Sequence, residues 1–173
     1  AVRWSSAKGD VEIDFPVKSL GELDHTQAKL HKRPVYRPPD QIQATPLNEP
    51  VYELTSVENN GAKFILVSGL KFKGTPEEMV FLEEHYLHPQ HLDDVLCPDV
   101  RQDFRQKRTG QGWTGSEGTL IPAGCREPVA RYLFVSSVDQ PLIYYALAIN
   151  AKPADSERFF ESFKLNREKL KSI

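Results

Sequence analysis

Cysteine is scarce in this chain of 173 residues, long apolar runs are missing, and neither sign of charge prevails. Each shortage removes a class of protein. Two cysteines, Cys97 and Cys125, cannot make a disulfide-dense scaffold; one bridge or two separate buried thiols both fit the sequence. Without a run of eighteen apolar residues there is no candidate membrane-spanning helix. The opening Ala1-Val2-Arg3-Trp4 has no signal-peptide core, which predicts a cytosolic protein or a mature or trimmed domain. Twenty-two basic against twenty-four acidic residues leave a net charge of -2, so the basic surplus that nucleic-acid binding uses is missing. The short run Lys29-Leu30-His31-Lys32-Arg33 reads as a solvated loop. A Gly-x-Ser-x-Gly elbow, a Walker loop and a His-Glu-x-x-His pair are all lacking.

What is there describes a globular domain. An apolar share of 39% with 10% aromatics supports one domain over residues 1–173, with a proline-rich loop at about 17–50. Within that loop, Val35-Tyr36 and Ile42 are expected as short extended pieces. Val11, Ile13 and Phe15 alternate with Glu12 and Asp14 after Lys8-Gly9-Asp10, which predicts a hairpin over Arg3 to Phe15 with one wet face. Val51 to Lys73 predicts a second hairpin, turning at Asn60-Gly61 because both residues tolerate positive φ.

Thr75, Pro76 and Glu78 form a helix-start signature, with Pro89 ending or kinking that helix. Further helical stretches are expected over Gln90–Val95 and, capped by Asp99, over Val100–Lys107. Gly110 to Gly115 predicts an irregular loop around Trp113. Glu117–Ile121 predicts a strand. A last hairpin follows over Val129–Val135 and Leu142–Ile149, and its second arm is apolar on both faces, so Tyr144 and Tyr145 should fall in different layers. Asp155 is expected to cap a closing helix that buries Phe159, Phe160 and Phe163. The charged tail from Asn166 should fray or form a short helix. The first and last hairpins are expected in one layer that this helix shields. The order of elements predicts an α+β fold with a mostly antiparallel sheet flanked by helices.

Two stretches carry a family resemblance. Trp4 with Val11-Glu12-Ile13-Asp14-Phe15-Pro16, and Ala130 to Val135 with Glu157-Arg158-Phe159-Phe160-Glu161-Ser162-Phe163-Lys164-Leu165, resemble the two ends of small exported PsbP/Mog-like bacterial domains. The resemblance covers about the first fifteen and last forty-five residues. It implies an α/β/α sandwich, an exported (periplasmic or extracellular) location, and a binding or assembly module without a catalytic residue or cofactor.

The one metal-like constellation is His85, His88 and His91, with Asp93, Asp94 or Cys97 as further ligands. Pro89 divides it, and histidines at a helix C-terminus are favoured without any metal. Cys97 beside Leu96 and Pro98 reads as a packed thiol rather than a nucleophile. Glu83-Glu84 and Asp93-Asp94 are helix neighbours that point apart and cannot act jointly. Arg126 and Arg131 are anion-binding candidates whose plainer role is pairing with a carboxylate such as Glu127. The leading expectation is a non-enzymatic domain that recognises a protein or cell-envelope component, with Trp113, Tyr36 and Arg37 in the contacting loops. A metal-dependent enzyme using His85, His88 and His91 is the alternative, and an appendage of a larger polypeptide a third.

Overall fold

Asn60 and Gly61 turn the chain with φ of 52° and 81°, the left-handed pair that a two-residue hairpin needs. They join two of ten strands in a computed structural model that describes residues 1–29, 51–72, 75, 77, 100–122 and 130–171. In chain order these are β1 (Val2–Ser5), β2 (Val11–Phe15), β3 (Asp24–Lys29), β4 (Val51–Asn59), β5 (Ala62–Lys71), β6 (Val100–Gly110), β7 (Trp113–Pro122), β8 (Ala130–Ser137) and β9 (Leu142–Ile149). Helix α1 (Pro153–Glu161), strand β10 (Lys164–Leu165) and helix α2 (Arg167–Leu170) close the chain.

The strands form two sheets with antiparallel pairing throughout. One has seven strands in the order β3-β4-β5-β9-β8-β7-β6; the other is β1-β2-β10. The fold is therefore mostly β, and the expected α/β/α sandwich with flanking helices is corrected. What lies on one face of the large sheet is the small sheet with α1, and their apolar side chains merge in a common core. Two local features account for the difference. Val100 and Phe104 are four apart, a helical spacing, yet Val100–Lys107 belongs to the paired strand β6. The first and last hairpins, expected in one layer, lie in facing sheets, and among the described residues β2 pairs with β1 and β10.

The alternation in β9 sorts its residues as the sequence predicts. Leu142, Tyr144, Ala146 and Ala148 point to the small sheet, whereas Ile143, Tyr145, Leu147 and Ile149 join a second apolar cluster on the other face. Every residue of this strand is buried. At the junction of the layers Phe159 meets Phe15 at 5.3 Å and Phe64 at 5.2 Å, while Phe163 packs edge-on against Trp113 at 5.6 Å. The Ser162 hydroxyl accepts from the Asp14 amide at 2.9 Å and donates to the Phe159 carbonyl at 2.7 Å, pinning the end of α1 to β2.

Smaller differences have equally local reasons. Lys152, not Asp155, is the N-cap of α1, because Pro153 takes the first helical position and Asp155 falls in the first turn. Strand β3 runs through the first part of the proline-rich segment, where Asp24 to Lys29 lack an apolar alternation and pair with β4 instead. Within Gly110 to Gly115 the chain makes a two-residue turn at Gln111-Gly112 between paired strands rather than an irregular loop. Gly115 stays within β7 because a side chain there would collide with the Phe134 carbonyl oxygen. Of the helix expected from Thr75, Glu77 is helical and the rest lies outside the described residues, as do Val35, Tyr36 and Ile42.

Helix α2 is fixed at its N-terminal end by two side chains. The Asn166 side chain accepts from the Lys169 amide at its N-cap, and Arg167 donates to both Asp139 oxygens, at 2.9 and 3.3 Å. Hydrogen bonding from Arg167 holds the Asp139 carboxyl below the usual aspartate range. A carboxyl lowered on folding stabilises above its unfolded pKa, and that contribution is lost as pH falls through the folded one. Asp139→Asn is thus expected to reduce stability at neutral pH and to match the parent in acid. Denaturant midpoints taken across the acid limb check this; a difference that persists below the aspartate range would contradict it.

Candidate functional site

Three polar groups are brought together by the sheet. The most open one is built from three consecutive strands at the β6 edge. Arg108 of β6 faces Gly115, Glu117 of β7 faces Leu133, and Arg131 of β8 faces Thr119, so the three side chains run diagonally across one sheet face. Glu117 is buried, at 7% exposure, on the face where its cross-strand neighbour Leu133 enters the apolar core. An ionised carboxylate there needs partners, and it has two: Arg131 donates to one oxygen at 2.6 Å and Arg108 to the other. Both guanidinium side chains stay about one-third exposed, at 33% for Arg108 and 28% for Arg131. The Arg131 guanidinium lies 5.9 Å from the Phe160 ring centroid, and Glu157 of α1 approaches it at 4.0 Å from the solvent side. One buried negative charge thus holds two positive ones at the rim.

The second group is closed. Tyr144 donates to one Asp10 oxygen at 2.5 Å, and the Ser6 hydroxyl donates to the other at 2.5 Å. Asp10 is 4% exposed and Tyr144 fully buried. Burial first, and then the hydrogen bond and charge of Asp10, push the Tyr144 hydroxyl far above its ordinary range. This network ties the β1–β2 turn to β9 and opens to no substrate. It joins the two layers through buried hydrogen bonds.

The third group lies on β3 and β4. The His25 Nδ1 is 2.8 Å from the Thr55 hydroxyl, its Nε2 is 3.9 Å from a Glu53 oxygen, and its ring leans on Trp4 at 6.1 Å. Hydroxyl, imidazole and carboxylate in this order suggest nucleophilic catalysis. Thr55, however, has no exposed surface, so no carbonyl can reach its oxygen. The group clips an edge strand to its neighbour.

Trp113, expected among the contacting loops, is 7% exposed, and its ring is spent on Phe163. Tyr36, Arg37, His85, His88, His91, Asp93, Asp94, Cys97, Cys125, Arg126 and Glu127 lie outside the described residues. Among the described residues no three His, Cys, Asp or Glu side chains gather as a metal site would require, and no helix is long and apolar enough to cross a membrane. Among the described residues Arg131 pairs with Glu117 and Glu157, partners distant in sequence. Arg108 and Glu117 were missed by sequence reasoning. The available signal was Arg101, Arg105, Lys107 and Arg108 in a single segment, obscured by assigning that segment to a helix.

Strand β6 itself is the other part of the site. It runs eleven residues, pairs with β7 along one side, and is the last strand of its sheet among the described residues. An edge strand presents backbone donors and acceptors on its outer side, and Gln106, Lys107, Thr109 and Gly110 are exposed. Comparison with protein-family models, with curated proteins and with solved structures found nothing that matches this chain.

Proposed function

We propose that this chain is a non-enzymatic recognition module that receives an extended segment of a protein partner along the outer side of β6. The observation that carries the reading is the length of that edge: eleven residues that, among the described residues, pair on one side only. Main-chain hydrogen bonds to an added strand supply affinity, and side chains on alternate positions supply selectivity. The opposite edge, β3, is shorter at six residues, and its His25 is engaged with Thr55. The edge of the small sheet is four residues long, and its Arg3 is paired with Asp14.

The polar groups support the same class. Asp10 and Tyr144 are consumed by each other, and Thr55 is inaccessible.

Selection of linear peptides from a random display library, followed by amide hydrogen exchange of the complex, tests the proposal. Added protection is expected within Val100–Gly110 and not within Asp24–Lys29. Protection centred on another element, or failure to select any peptide, would defeat it.

A further inference from the structure

The sequence of β6 is more basic than that of the chain as a whole. Within Val100–Gly110 stand Arg101, Arg105, Lys107 and Arg108 against the single acid Asp103, a surplus of three in a chain whose net charge is -2. Glu117 balances only one of the two arginines that it orients. Glu157, 60% exposed, approaches Arg131 at 4.0 Å.

From these observations we infer that the segment received by β6 is acidic, that Arg108 is the cation that meets its carboxylates, and that Glu157, beside Arg131, repels them as a like charge from within the chain. The inference rests on the edge-strand reading above and names the chemistry of the partner. Arg108 stands on the edge strand itself, with one nitrogen anchored on Glu117 and a third of the side chain exposed. A guanidinium has five donors, so one anchored nitrogen still leaves a fork for a second carboxylate. Arg131, two strands inward, acts as a positioning residue: it shares Glu117 and so keeps that carboxylate from cancelling Arg108. A basic strand also attracts nucleic acid, but single strands are held on stacked aromatic rings. Here Trp113 is buried, and among the described residues the exposed large apolar side chains are Leu20 and Val138, neither of them aromatic.

Fluorescence anisotropy with three labelled probes tests this: an octapeptide alternating valine and glutamate, its valine–glutamine counterpart, and an oligothymidylate. The glutamate peptide is expected to bind about tenfold more tightly than the glutamine one at low salt, with the advantage shrinking as salt screens it. Arg108→Gln should remove most of that advantage. Glu157→Gln changes an exposed side chain without threatening the fold, and should tighten the glutamate peptide by about twofold to threefold by removing a like charge near the site. Equal binding of the two peptides, an unchanged affinity in Glu157→Gln, or preference for the oligothymidylate would each overturn the inference. Amide exchange separates the two levels. A glutamine peptide that protects β6 without a glutamate advantage leaves the edge standing and removes the acidic partner, whereas no protection of β6 by either peptide removes both.

Discussion

Replacing Phe159 by alanine is expected to lower the unfolding free energy by about 3–5 kcal/mol, the usual cost of deleting a buried aromatic ring. Phe159 is 1% exposed and contacts rings from three elements: Phe15 of β2, Phe64 of β5 and Phe160 of its own helix. The cavity would open where the two sheets and α1 meet, and none of the three can close it alone. Neighbouring β2 is anchored by Ser162 and by the Asp10–Tyr144 bond, so collapse into the void is resisted from both ends. Phe159→Leu retains most of the volume and should cost about 1–1.5 kcal/mol. Equilibrium unfolding in urea measures both. An alanine variant within about 1 kcal/mol of the parent would show that the layers are held elsewhere.

Glu117→Ala is the second large effect, and its size depends on what remains. Removing one partner of a buried ion pair costs about 3–5 kcal/mol because the other charge is stranded. Here the stranded groups are two arginines that keep about a third of their surface in water, so the expected loss is smaller, about 2–3 kcal/mol. Replacing all three members with apolar side chains of similar bulk (Arg108→Met, Glu117→Leu and Arg131→Met together) is expected to recover most of that loss, since no charge is then left unpaired. The same triple variant should lose the preference for acidic peptides. Stability and selectivity are thereby separated in one variant. Chemical denaturation of the single and triple variants decides: equal losses in both would mean that the cluster contributes through net attraction rather than through mutual satisfaction of buried charge.

Much of the local structure was legible because short-range patterns decide it. Asn60-Gly61 forces a tight turn whatever surrounds it, and the period of two in β2 and β9 separates inner from outer side chains before any partner strand is known. The triple phenylalanine of the closing helix similarly announces a buried face, and Phe159, Phe160 and Phe163 are all buried. Strand β6 was illegible for the opposite reason. Val100-Arg-Gln-Asp-Phe-Arg-Gln-Lys satisfies a helical spacing as well as an extended one, and only pairing with the glycine-containing β7 resolves it. With that strand misassigned, its basic side chains could not be seen as an edge, nor Arg108 as the partner of a glutamate nine residues away.

The sequence by itself determined the hairpins β1–β2, β4–β5 and β8–β9, the two-sided burial of β9 and the helix that follows it, because turn chemistry and side-chain alternation act over a few residues. Tertiary structure alone decided which sheet each hairpin joins and that a second sheet packs with α1 against the large one. It also decided that Arg108, Glu117 and Arg131 converge. These outcomes depend on pairings between residues far apart in the chain, and the energy of such pairings comes from burial and charge satisfaction that no local window contains.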